Sequence, residues 1–354
     1  MTHFENIASG LKDRGLDAML ITSGPGEFYA VGFHGEGVAL ITPDKTWYYT
    51  DSRCIEAAQQ TITGAEVIQW TADNSYREQI KELVKTRGIA RLGFEEEYMS
   101  VAQHAVWTKA LDAELVPASE LLTNLRVVKD AQELAAMKEA QRITDETLLE
   151  ILDFLKPGLT EQEVAARLTY IMARKGAERN SFDPIVACGA NGSKPHAVPS
   201  PAVIQKGQFV TMDFGCVVGG YCSDMTRTVA VGRPDQEMEL VYNTVLKAQL
   251  AGIAAAHAGV TGKEVHEAGA KVIADAGYGQ YFGHGFGHSL GIEIHEEPRF
   301  SPRNDKPIPA GALLSAEPGI YIPGRFGVRI EDVIMLTEDS CIDITRSPKQ
   351  LIVL

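Results

Sequence analysis

Several things are scarce or missing in this 354-residue chain, and each absence narrows the reading. No apolar run approaches the roughly 18 residues of a membrane helix, so no span is expected. The opening MTHFENIASGLKDRG lacks a basic start followed by an apolar core, so no secretory leader is expected and the protein reads as cytoplasmic. Basic residues are outnumbered, with 33 Lys and Arg against 47 Asp and Glu, for a formal charge of −14. That balance disfavours a nucleic-acid partner, which needs a basic face. Cysteines number five, at 54, 188, 216, 222 and 341, with no C-x-x-C pair. Free thiols in a reducing compartment are the simplest account. A glycine-rich phosphate loop is absent as well. The remaining composition, 45% hydrophobic and 23% charged, is that of an ordinary folded protein.

The chain is long enough for two domains. Residues 1–125 read as alternating helices and short strands: a helix over about 2–14, strands at 16–23, 37–42 and 46–50, and further strands near 65–70 and 90–94. Glu95-Glu96-Glu97 lacks the spacing to present its carboxylates together and reads as a solvated turn. The stretch 125–158 reads as one long amphipathic helix closed by Pro157-Gly158. Thr160-Glu161-Gln162-Glu163 then forms a capping box for a helix ending at Gly176. Strands follow, then helices near 236–257 and 262–276, then strands again. This order hints at a duplicated half-domain.

Histidines 284, 288 and 295 lie in YFGHGFGHSLGIEIHEEP, residues 281–298. His284 and His288 have zincin helix spacing, but Gly285 replaces the general-base glutamate. Gly283, Gly285, Gly287 and Gly291 would each cost about 1 kcal/mol inside a helix. The stretch therefore reads as a loop feeding a strand at 291–295, where apolar and polar residues alternate. Metal partners must come from elsewhere. Four acidic residues stand inside apolar strands: Asp213 in FVTMDFG, Asp224 in GYCSDMTRTVAVG, Glu317 in LLSAEPGIYI and Glu331 in GVRIEDVIML. A buried carboxylate is costly unless paired or metal-bound. A hairpin through Gly219-Gly220 would bring Asp213 and Asp224 together. Each residue alone has an ordinary reading, as a cap, a turn or a partner of Arg325 or Arg329. His257 and His266 read as plain helix residues, and Asp332 alternates away from Glu331. Four carboxylates and one imidazole form an oxygen-rich set that suits manganese, with cobalt, zinc or iron(II) as substitutes. The set exceeds what one ion needs and fits two.

At MDFG, GYCSDMTRT, GHGFGHSLGIEIHEEP, LLSAEPGIYIPG and FGVRIEDV the sequence resembles the pita-bread metallopeptidases, in the branch of prolidase and aminopeptidase P. The resemblance implies an α/β (α+β) architecture. Residues 127–354 would form a pita-bread catalytic domain with internal pseudo-symmetry, and residues 1–126 a smaller creatinase-type α/β domain. Asp213, Asp224, His288, Glu317 and Glu331 would be the metal ligands, with Asp224 and Glu331 bridging two divalent ions, manganese first among them. His295 would contact the scissile peptide, His284 would line the pocket, and His196, in NGSKPHAVPS, would be the upstream catalytic histidine. Arg329 would stand at the active-site edge and Tyr321 near Glu317. Glu317 would also move a proton. The implied reaction is hydrolysis of the bond between an N-terminal residue and proline in short peptides, by a homodimer. Dipeptidase and aminopeptidase P stay open. Methionine aminopeptidase, creatinase and a non-catalytic peptide-binding relative are the alternatives.

Overall fold

The computed structural model describes residues 3–354. It contains two compact units, one running to Arg126 and the other from Val127 to Leu354.

The first unit runs α1 (His3–Asp13), β1 (Ala18–Ile21), α2 (Gly24–Val31), β2 (Val38–Ile41), β3 (Thr46–Thr50), α3 (Ile55–Thr61), β4 (Glu66–Gln69), α4 (Tyr76–Arg87), β5 (Arg91–Phe94), α5 (Val101–Ala110), β6 (Glu114–Pro117) and α6 (Ser119–Val127). Its strands form a mixed sheet in the order β4-β3-β2-β1-β5-β6, with β1 and β2 antiparallel and β1 and β5 parallel. Leu20, Leu40, Trp47, Leu92 and Trp107 pack in its core. Two features depart from the sequence reading. Helix α2 was not among the expected elements; Ser23 caps it by accepting from Gly26 N, and proline suits a first turn. The triplet at 95–97 is a solvated turn only in part, with Glu96 and Glu97 exposed in the turn and Glu95 buried. Glu95 accepts from Thr22 N and Ser23 N, while Glu96 accepts from Ala118 N and Ser119 N. Backbone donors distant in sequence hold these carboxylates, and local spacing cannot reveal them.

The second unit continues with α7 (Ala131–Phe154), α8 (Glu161–Arg174), β7 (Arg179–Asn180), β8 (Ile185–Cys188), β9 (Gln208–Phe214), β10 (Cys216–Val218), β11 (Tyr221–Cys222) and β12 (Met225–Val231). Then come α9 (Gln236–Ala255), α10 (Gly262–Asp275), β13 (Gly287–Ser289), β14 (Glu296–Phe300), β15 (Leu313–Ala316), β16 (Gly319–Ile322), β17 (Phe326–Arg329), β18 (Asp332–Leu336) and β19 (Cys341–Asp343). The expected single helix over 125–158 is two helices. Asp130 breaks it: its carboxylate caps Gln132 N and Glu133 N, and Glu133 reaches back to Asp130 N. This capping box was legible as D-x-x-E inside the apparent helix.

The hint of duplication is visible in the element order. Each half places a long helix, then a shorter one opened by a Thr-x-x-Glu capping box, at Thr160/Glu163 and at Thr261/Glu264. Each box threonine also forms an isolated β-bridge, Thr160 with Val203 and Thr261 with Pro307. In the first half, Ile143, Leu148, Leu168 and Ile171 of the helices pack on Val210, Met212 and Val229 of the sheet β12-β9-β8. In the second, Val265, Phe286, Phe300, Leu314 and Ile334 share a core beneath β14-β13-β15-β18-β19. Among the described residues no helix is long and apolar enough to cross a membrane.

Candidate metal centre

Asp213 lies on β9 and pairs in register with Thr226 of β12. Residues opposite one another in a sheet share a face, and alternation puts Asp224 on that face too. The hairpin β10–β11 turns at Gly219-Gly220 between them. Glu331 follows β17; its N–H donates to Thr226 O, and Thr226 Oγ1 donates to Glu331 Oε2 at 2.7 Å. Glu317 sits after β15, its N–H bonded to Phe286 O. His288 stands on β13, and its N–H donates to Ser315 Oγ, which itself donates to Glu317 Oε1. All five expected ligand residues line one cavity of about 420 Å³, together with His196, His284, His295 and Arg329.

The electrostatics are those of crowded carboxylates. Burial, then the charges of Glu331, Asp213 and Glu317, hold Asp224 well above the usual carboxylate range. Burial and the charges of Glu317 and Asp213 do the same to Glu331. Burial pushes Glu317 up to about 7, although Arg329 pulls the other way. Burial, followed by His295, depresses His288 to about 3, so its ring is neutral. His288 Nδ1 donates to Ser289 O at 3.1 Å, which leaves Nε2 without a proton. That bare nitrogen faces Glu317 Oε1 at 3.4 Å and Asp224 Oδ2 at 3.7 Å. Three further buried oxygens, Asp213 Oδ1, Asp224 Oδ1 and Glu331 Oε1, have no hydrogen-bond donor. Ligand atoms of Asp224, His288 and Glu331 all lie within 4.8 Å of one another. Acceptors turned on acceptors fit divalent cations, which supply the missing positive charge.

Arg329 is not at the edge of this cluster. It is buried at the floor, where Nη2 pairs with Asp213 Oδ2, Nε donates to Thr226 Oγ1, and Nη1 donates to Tyr321 OH and Pro195 O. Tyr321 OH donates a hydrogen bond to His284 Nε2 at 3.0 Å, and His284 Nδ1 donates to Gly285 O. Burial and the nearby Arg329 charge depress His284 to about 4.

His196 and His295 are exposed in the cleft wall. The ring of His295 lies edge-on to His288, with centroids 4.4 Å apart. Its segment is not the expected strand. Residues 291–295 turn, with Gly291 N bonded to Glu293 O and Glu293 N to Glu296 Oε1; the strand begins at Glu296. Alternation over five residues did not reveal a side chain that replaces the ladder. Sequence reasoning also missed Thr226, Ser315 and the cleft residues Phe182, Asp183 and Arg299. Thr226 and Ser315 stood two residues from flagged acids. The last three carried no local signal.

Residues 135–338 match metallopeptidase family M24, and residues 4–128 match the creatinase/prolidase N-terminal domain. The chain belongs to the M24 metallopeptidases, with a creatinase-type domain ahead of the pita-bread domain. Among relatives, it is 44% identical over 342 residues to the uncharacterized peptidase YqhT of Bacillus subtilis (strain 168), covering 96% of both chains. It superposes on the Xaa-Pro dipeptidase from Bacillus anthracis with a TM-score of 0.95, at 41% identity over 99% of both chains. The X-Pro aminopeptidase from Thermotoga maritima MSB8 gives a TM-score of 0.94, at 35% identity over 100% of both.

Proposed function

We propose that this metallopeptidase cleaves the bond between an N-terminal residue and proline, as an Xaa-Pro dipeptidase or an Xaa-Pro aminopeptidase. The observation that carries the reading is the set of donor-less oxygens around the bare His288 nitrogen. The similarity to a named dipeptidase and a named aminopeptidase supports the proline preference.

Asp213, Asp224, His288, Glu317 and Glu331 would hold two divalent cations. Manganese suits so carboxylate-rich a set, and cobalt, zinc or iron(II) can substitute. Such cations supply Lewis acidity, polarising a carbonyl and making a water nucleophilic near neutral pH. The chain does the rest. Glu317 accepts the water's proton and delivers it to the leaving proline nitrogen. His196 and His295 donate to the carbonyl oxygen as its charge develops. Arg329, Tyr321 and His284 fix Asp213 and the cleft floor through their bonded chain.

Arg299 favours the dipeptidase. It lines the cleft, paired with Glu297 at 3.1 Å, and offers a cation to the carboxylate of a C-terminal proline. The domain boundary at 126/127, a homodimer and a cytoplasmic location complete the reading; five cysteines without a disulfide support the last. Leu-Pro, an Arg-Pro-Pro peptide and a Met-Ala peptide, assayed side by side with manganese, test it. Turnover of Leu-Pro alone is expected for the dipeptidase, and turnover of the longer peptide for the aminopeptidase. Turnover of Met-Ala alone would contradict the proline preference.

A further inference from the structure

In Thr160-Glu161-Gln162-Glu163, Thr160 and Glu163 complete the capping box and Glu161 is left over. Its carboxylate is 0% exposed. A buried carboxylate must find donors, and Glu161 finds four. Oε1 accepts from Cys188 N at 2.6 Å. Oε2 accepts from Asn191 Nδ2 at 2.8 Å, Ser200 N at 2.8 Å and Ser200 Oγ at 2.6 Å. None of the four comes from its own helix. They come from both ends of the segment 188–200, and His196 stands between those ends.

The duplicated half sharpens the point. The position that follows the box threonine in α10 is Gly262, where a Cβ would overlap Arg299 O. Helix capping therefore does not require a carboxylate there. Within the 188–200 loop, Pro195 O accepts from Arg329 Nη1 at 3.1 Å. The loop is thus held at its ends by Glu161 and beside its histidine by the cleft floor. The contact between Glu161 and Cys188 is not a nucleophile pair, since burial and the Glu161 charge push that thiol up to about 12.

We propose that Glu161 is a positioning residue for His196, clamping the ends of the 188–200 loop so that the imidazole meets the scissile carbonyl. This rests on the function proposed above. Charge-assisted bonds make the clamp stiff, and displacing a reacting group by about 1 Å costs on the order of 100-fold in rate.

The test is a double-mutant cycle of Glu161→Gln and His196→Ala in manganese-loaded protein, with hydrogen exchange of residues 188–200 read in parallel. Glu161→Gln is expected to lower kcat by roughly 10- to 100-fold with KM and bound manganese little changed. It should speed exchange in the loop, and it should cost less than about 2-fold once His196 is alanine. Ser200→Ala, which removes one donor, should act in the same direction and more weakly, and serves if the glutamine variant does not fold. An equal loss in both backgrounds, unchanged loop exchange, or loss of manganese would each overturn the proposal. Failure of the wild type to cleave any Xaa-Pro peptide would instead overturn the proposed function; the exchange measurement would still decide whether Glu161 holds the loop.

Discussion

Asp224 shows how a single residue reports the site. It is buried among Glu331, Asp213 and Glu317, and one of its oxygens meets no donor. Asp224→Asn removes a charge from that crowd. Metal affinity and hydrolysis should fall, the latter by more than about 100-fold, while the metal-free variant should melt above metal-free wild type. Calorimetry and a peptide assay check both halves. His284 gives a pH prediction. Its folded pKa of about 4 lies below the roughly 6.5 of an unfolded histidine. Its contribution to stability is present above pH ~6.5 and is lost as pH falls towards 4. His284→Gln should therefore flatten that part of the acid limb, read as denaturation midpoints from pH 7 to 4. At this scale the four acids were legible, because charge inside an apolar strand needs a reason. Which histidine joins them came only from the family resemblance, which named His288, and not from the local pattern. The choice depends on the backbone course of 287–296, where His288 faces the acids from a strand and His295 hangs on a turn.

Elements were readable where their ends carry chemistry. Thr160 with Glu163 announced α8, and Asp130 with Glu133 announced α7 in the same chemistry but went unread inside a longer periodic stretch. The turn at 291–295 was hidden because its bonds run through the Glu296 side chain. The approach of β13 to β15 was hidden for another reason. Gly287 passes so close to Ser315 O that a Cβ there would overlap it. Gly287→Ala should push β13 away, costing about 1–3 kcal/mol of stability. Because His288 is the next residue, hydrolysis should fall further than stability alone explains, a difference visible by assaying well below the melting point.

The whole molecule joins a creatinase-type unit and a duplicated catalytic unit whose halves meet at the acid cluster. Asp213 and Asp224 come from the first half, and His288, Glu317 and Glu331 from the second. No single half holds the set, which is why order along the chain, more than any one motif, announced it. A cation binding only the folded state stabilises it, by about 2.7 kcal/mol at 100 times its Kd. Chelator should accordingly lower the melting temperature, and manganese should restore it. The most direct measurement is a titration of chelator-stripped protein with manganese, following bound metal and Leu-Pro hydrolysis in the same sample. The account predicts no turnover without metal, turnover rising to a plateau near two equivalents, and no recovery in Asp224→Asn. Full turnover in the stripped protein, or full recovery in that variant, would contradict it.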